Sequence, residues 1–336
     1  MEIKELDKRI SSGKIKGPFF FFGEEEFLLE NKVRAIRKKL IDPETEDFNY
    51  EKIDGKKITA DEIISAMQTF PVMSERRLIV VRNCGFFANS KLSDFARLVE
   101  ELSNVPDYLC IIFTEKNFDI KKEKNLEVFQ KYGGVVKFDI LSLNQLELWL
   151  EKLFEAQEKQ IIMRDVSYLI KRCGQSMGTL YSEYNKLLSY VGERTKITKE
   201  DIDAATSKSV DARVFDMLDN ITENRGTKVM EELKALIVSG ENPSGVLTML
   251  TTRFSELLMV KQLISNGMDP KSIADYFEPK RPSFVVNKLI AQSKQFGEPY
   301  LKRIMMKGHD YAYEVRTGNL DKWLAVEMYV AELIKQ

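Results

Sequence analysis

Few residues in this chain have the type and spacing that chemistry requires. The stretch FFFFGEEEFLLENK reads as a strand, a turn and a helix start, the place where an α/β domain cradles a phosphate. Such a cradle needs small residues, so that backbone N–H groups close round the anion, and a lysine to reach it. Here Gly23 is the one glycine of the turn, and Glu24, Glu25 and Glu26 occupy the helix N-terminus. Three carboxylates there satisfy the helix dipole themselves and repel phosphate. Glu115 follows the apolar run at 108–114 as a candidate metal-binding acid, without the preceding aspartate that holds magnesium in P-loop enzymes. His309 is the single histidine, which removes most zinc sites and most histidine-dependent catalysis. Cys84, Cys110 and Cys173 are scattered without metal-site spacing and read as reduced thiols of a cytoplasmic protein. These patterns give no catalytic residue, no cofactor site and no metal site.

Three other constellations point to binding. In TADEIISAMQTFPVMSERRLIVVRN, residues 59–83, Thr59 and Glu62 form a capping box that starts a helix. Ile63, Ile64, Met67 and Phe70 follow at helical spacing on one apolar face. Pro71 ends or kinks that helix, and residues 78–81 form a buried strand. Val72 and Met73 belong to neither stripe. They either fill core between helix and strand, which the pattern alone favours, or form an exposed apolar plug that a partner receives. Near the C-terminal end, Tyr311, Tyr313 and Arg316 put aromatic and basic residues side by side, a possible DNA contact by stacking and phosphate pairing; packing between helices is the commoner use of such residues. Residues 272–294 have the outline of a helix-turn-helix, but Phe284, Val285, Leu289 and Ile290 dominate the second segment. That favours a helical hairpin packed in a bundle over a DNA-reading helix.

The elements that must position these residues change character along the chain. Over residues 1–140 strands and helices alternate, which means an α/β domain with a mostly parallel sheet. Residues 141–209 read as about four short helices in a small bundle, with Trp149 in an apolar stripe. Residues 210–336 continue as helices punctuated by Gly226, Gly240, Gly245 and Gly267. The fold class is therefore α/β followed by all-α, in a chain whose 336 residues suit two or three domains.

Composition sets the outer limits. With 43% hydrophobic and 31% charged residues the chain is an ordinary globular protein. A net charge of −1 leaves any DNA contact to local patches. The charged, amphipathic start does not read as a signal peptide, and the four phenylalanines at 19–22 are too few to span a bilayer.

Taken in order, these segments resemble a family. GPFFFFGEEEFLLENKVRAI, TFPVMSERRLIVVRN, YGGVVKFDIL, EYNKLLSYVGERTKITKEDID and HDYAYEVRTGNLDKWLAVEMYVAEL are similar to successive segments of the delta subunit of bacterial DNA polymerase III, over nearly the full length. The resemblance implies a degenerate AAA+ domain over 1–140, a small helical lid over 141–209 and a helical collar for oligomerisation over 210–336. It implies a clamp-loader subunit of the DNA polymerase III holoenzyme, not itself an enzyme and binding no nucleotide. Its partners would be the sliding clamp (beta subunit), loader subunits of the tau/gamma and delta-prime type, and primed DNA through the complex. The family inserts an apolar pair, commonly Leu-Phe, into a pocket on the clamp. Val72 and Met73 stand at that position and keep the apolar character without the aromatic ring. The residues leave two other readings, an AAA+ ATPase with a diverged phosphate loop and a DNA-binding regulator using 272–294.

Overall fold

A computed structural model describes residues 1–55, 58–88, 95–119, 124–277 and 283–335. The chain forms two units, Met1–Ser142 and Leu143–Gln336.

The first strand shows how the sequence builds the first unit. Gly17–Phe22 (β1, after helix α1, Ile3–Ser11) is buried along its whole length. The period of two sends Phe19 and Phe21 to one face and Phe20 and Phe22 to the other. Helix α2 (Glu26–Leu40) and the single turn α3 (Glu46–Asn49) lead to β2 (Tyr50–Asp54). Helix α4 (Ala60–Met67) precedes β3 (Arg77–Arg82), and α5 (Phe95–Ser103) precedes β4 (Leu109–Glu115). Helix α6 (Glu127–Tyr132) and β5 (Gly134–Lys137) complete the unit. The five strands are parallel in the order β2-β3-β4-β1-β5. This is the parallel-sheet P-loop-like arrangement that the resemblance implied. One face is filled by Phe20, Phe87, Phe113 and Phe129, whose rings meet edge-on or tilted at 4.8–5.6 Å between centroids. The other buries Leu6, Val33, Ile36, Leu78, Val80 and Phe138.

Several boundaries differ from the sequence expectation. The alternation of apolar and polar residues over 48–53 reads as a strand, but β2 begins at Tyr50, because α3 consumes Phe48 and Asn49. Leu92, Phe95, Leu98, Val99 and Leu102 read as the inward face of a helix over 90–102; it is seen from Phe95, and Leu92 lies outside the described residues. The capping box at Thr59 is present, with both reciprocal hydrogen bonds to Glu62. Phe70, however, does not join the stripe of Ile63, Ile64 and Met67. The helix stops at Met67, and Phe70 is 72% exposed. The residue before a proline is pushed out of helical geometry, so Pro71 already acts one position upstream.

Among the described residues the second unit is built of helices, with one isolated parallel bridge between Gln160 and Lys196. It opens with α7 (Leu143–Glu155), α8 (Met163–Cys173), α9 (Met177–Val191) and α10 (Lys199–Ala205). Leu146, Leu150, Leu169, Leu187 and Ile202 are buried, while Trp149 is half-buried. Thr198 and Asp201 form the capping box that starts α10. Ser209 caps α11 (Val210–Thr222), and its N–H donates to the Arg172 carbonyl at 2.9 Å. Next come α12 (Gly226–Val238), α13 (Pro243–Ser265), α14 (Pro270–Ala274), α15 (Ser283–Ser293), α16 (Glu298–Thr317) and α17 (Lys322–Ile334). Among the described residues an apolar core that includes Leu250, Phe254, Leu257 and Tyr329 is drawn from residues within 210–334. Gly308 lets α16 approach α13: a Cβ there would lie 2.4 Å from Thr251 Oγ1.

The hairpin expected within 272–294 packs into this core. Val286 and Leu289 are buried, and Lys288 pairs with Asp219 of α11 at 2.7 Å. Lys280 and Arg281 lie outside the described residues. Among the described residues no helix is long and apolar enough to cross a membrane.

Candidate functional site

Two places in the first unit could act on another molecule, and they lie at opposite edges of the sheet. The carboxyl ends of β1 and β4 form the crevice where parallel α/β sheets take their ligands. Here that crevice is closed by its own backbone. Gly23 N–H donates to the Glu115 carbonyl at 3.2 Å, Glu25 N–H to the Phe138 carbonyl at 3.1 Å and Glu26 N–H to the Glu24 carbonyl at 3.0 Å. A phosphate loop would aim such N–H groups at its ligand. Gly23 has φ +138°, and a Cβ on it would sit 2.1 Å from the Phe138 carbonyl oxygen, so this glycine serves close packing against the chain beyond β5. Glu25 is buried at the helix start, and burial raises its pKa, partly offset by a hydrogen bond from the Phe27 N–H.

Glu115, at the end of β4, is also committed. It accepts the Gly85 N–H at 2.8 Å and faces the Cys84 thiol at 3.7 Å. Burial raises the Glu115 pKa and pushes the Cys84 thiol up to about 12. Among the described residues no three His, Cys, Asp or Glu side chains are grouped to hold a metal. The raised carboxyl has a measurable consequence. Below the ordinary carboxylate range both folded and unfolded chains hold the proton, and burial costs nothing. As pH rises through that range the unfolded chain ionises first, so stability falls until the folded group has ionised too. Glu115→Gln keeps an acceptor for Gly85 without the charge. It should raise the urea midpoint at pH 7.5 and leave it unchanged at pH 4.

The second place is the segment between α4 and β3, at the amino edge of the sheet. Val72 is 43% exposed and Met73 is 93% exposed, with Met73 at φ +50°. The core-filling alternative for Met73 is thereby excluded. A positive φ at a non-glycine residue is held only where the surroundings over-determine it. They do so here. Asn49, fully buried, donates from Nδ2 to the Val72 carbonyl at 2.8 Å and accepts the Val72 N–H on Oδ1 at 2.8 Å. Arg76 donates to the Asp107 carbonyl at 2.6 Å. Arg77, also buried, donates to the Phe48 carbonyl at 2.7 Å and pairs with Glu51 at 2.6 Å. The Phe70 ring lies 5.4 Å from that of Tyr108. The result is a fixed tip that offers apolar side chains to solvent.

The C-terminal trio is split by its helix. Tyr311 is half-buried against the core, its ring 6.1 Å from that of Tyr329. Tyr313 is 63% exposed, and Arg316, three residues on, is exposed on the same side of α16. Sequence reading missed Asn49, Arg77 and Phe48. Nothing local marks them, because their partners lie 23 to 29 residues away.

Comparison with known proteins bears on the family and the fold. The family described as DNA polymerase III, delta subunit, matches residues 19–139, and its C-terminal domain matches residues 211–333. The DNA polymerase III subunit delta of Bacillus subtilis is 24% identical over 335 residues, covering 98% of this chain and 96% of that protein. The probable DNA polymerase III subunit delta of Aquifex aeolicus is 24% identical over 260 residues, covering 75% of this chain and 72% of that protein. Among solved structures, the Bacillus subtilis DNA clamp loader delta protein superposes with a TM-score of 0.70 at 23% identity, over 99% of this chain and 100% of that one. With both parts of the family matched in order around a parallel sheet and a helical core, the chain belongs to the DNA polymerase III delta subunit family.

Proposed function

We propose that this chain is the non-catalytic clamp-loader subunit that grips the sliding clamp and helps hold the ring open for loading onto primed DNA. The observation that carries this reading is Met73, 93% exposed on a tip fixed by buried hydrogen bonds, beside Val72. A large apolar side chain held out into water lowers its free energy when a partner covers it. The grip sits at the amino edge of the sheet, while the crevice at the carboxyl edge has spent its N–H groups internally. That arrangement suits a binding protein better than an ATPase. In this reading residues 1–140 bind the clamp, 141–209 form a lid, and 210–336 form a collar that joins tau/gamma and delta-prime type subunits in the cytoplasm. The separate core within 210–334 supports the last division.

The test is the affinity of the full-length chain for the sliding clamp of the same cell. Absence of binding at micromolar concentrations sinks the reading. Saturable binding of labelled ATP with magnesium, lost on changing the Gly23 turn, puts the ATPase in its place.

For DNA, Tyr313 and Arg316 are the exposed pair on α16. Changing both to alanine should weaken binding of primed DNA by the assembled loader about tenfold, since one stacked base is worth about 1–3 kcal/mol. Tyr311→Ala should act on stability instead. Fluorescence anisotropy of labelled primed DNA reads the difference, and an unchanged curve for the Tyr313 and Arg316 double variant removes the contact.

A further inference from the structure

We propose that the turn Phe48–Asn49 is the second half of the grip: Phe48 is a further apolar anchor for the sliding clamp, and Asn49 is the positioning residue that fixes the pose of Val72 and Met73. The inference rests on the clamp-binding reading above and deepens it.

Phe48 is 62% exposed although it belongs to an ordered turn. A lone exposed phenylalanine would need no explanation. This one is tied to the tip from both sides. Its own carbonyl accepts the Arg77 guanidinium, and its neighbour Asn49 holds Val72, so two adjacent residues bracket the segment 72–77. The strands that follow, β2 and β3, run side by side with Tyr50 opposite Leu78. Phe48 and Met73 are therefore carried on one edge of the sheet, on neighbouring segments. With Phe70 and Val72 they put four exposed large apolar side chains on segments at the amino ends of neighbouring strands, the kind of surface a partner covers. An aromatic ring supplies large contact area with little rotamer entropy to lose, and such rings dominate interface energetics.

Asn49 explains why the surface keeps its shape. Its amide is fully buried, and it spends both a donor and its acceptor on the main chain of one exposed residue, with a further bond from Nδ2 to the Thr45 carbonyl at 3.1 Å. An asparagine side chain used this way imitates a paired strand residue. Because it reads backbone alone, it sets the direction of Val72 and Met73 whatever their side chains are. Pre-organisation of this kind reduces the ordering cost that binding would otherwise meet.

The experiment measures clamp affinity by surface plasmon resonance, with amide exchange on the same full-length proteins. Phe48→Ser should weaken binding about 10- to 100-fold, in the range of an aromatic anchor, with an unchanged thermal midpoint. In the unchanged protein the Val72 amide should be protected and the Met73 amide should exchange freely. In Asn49→Ala the Val72 amide should lose protection while Leu78–Val81 keep theirs, and affinity should fall about tenfold. The proposal is overturned if Phe48→Ser stays within twofold while the paired Val72→Ala, Met73→Ala change abolishes binding; the clamp-binding reading then survives alone. It is overturned equally if the Val72 amide exchanges freely in the unchanged protein, or if Asn49→Ala exposes the β3 amides as much as the tip, which makes Asn49 merely structural. Intact binding by the paired 72 and 73 variant leaves clamp binding standing but places its anchor away from this tip, which overturns the proposal as well.

Discussion

Replacing Val72 and Met73 together by alanine should weaken binding of the sliding clamp by at least about 100-fold. Buried apolar anchors lose about 2 kcal/mol or more each on truncation, and each 1.4 kcal/mol is about tenfold in affinity. The thermal midpoint should barely move, because exposed side chains contribute within about ±0.5 kcal/mol to folding. Both halves of the expectation come from one geometric fact. Asn49 binds the Val72 backbone, which alanine leaves in place, so the tip keeps its path while its side chains are cut back. Methionine suits the exposed position, since its flexible, polarizable chain adapts to a pocket on the partner. Had these residues been core, the Met73 change alone would cost about 2–5 kcal/mol of stability. Clamp affinity retained by the folded double variant would place the anchor elsewhere.

The largest expected loss of stability belongs to Arg253, at the centre of the second unit. Arg253 is 4% exposed on α13. Its guanidinium pairs with Asp211 at 2.8 Å and with buried Glu256 at 2.5 Å, and lies 4.2 Å from the centre of the Phe215 ring. It thereby ties α13 to α11. Arg253→Ala takes the guanidinium away from a buried carboxylate. Losing one partner of a buried ion pair costs about 3–5 kcal/mol. Replacing both charges by apolar residues, Arg253→Met with Glu256→Leu, should recover most of that loss, because neither charge then has to be desolvated. Urea unfolding followed by amide exchange along α13 and α17 measures both variants. An Arg253→Ala protein within about 1 kcal/mol of the parent would show the pair to be solvated in effect.

The sequence by itself determined what depends on neighbours in the chain. Residues 78–81 declared a buried strand, because a continuous run of apolar, mostly β-branched residues leaves no side for water. Thr59 with Glu62 declared a helix start, because a capping box closes within three residues. The carboxylates after Gly23 already spoke against phosphate, and the α/β-then-helical order followed from periodicity alone. Pattern could not decide whether Val72 and Met73 were core or surface, and it misplaced Phe70, since a short apolar run reads the same in both settings. Tertiary structure decided these through contacts made at long range. Asn49 reaches Val72 across 23 residues, and Arg77 reaches Phe48 across 29. Parallel strands join only through long crossovers, so the groups that share one sheet edge are scattered in sequence and meet only when the sheet is assembled.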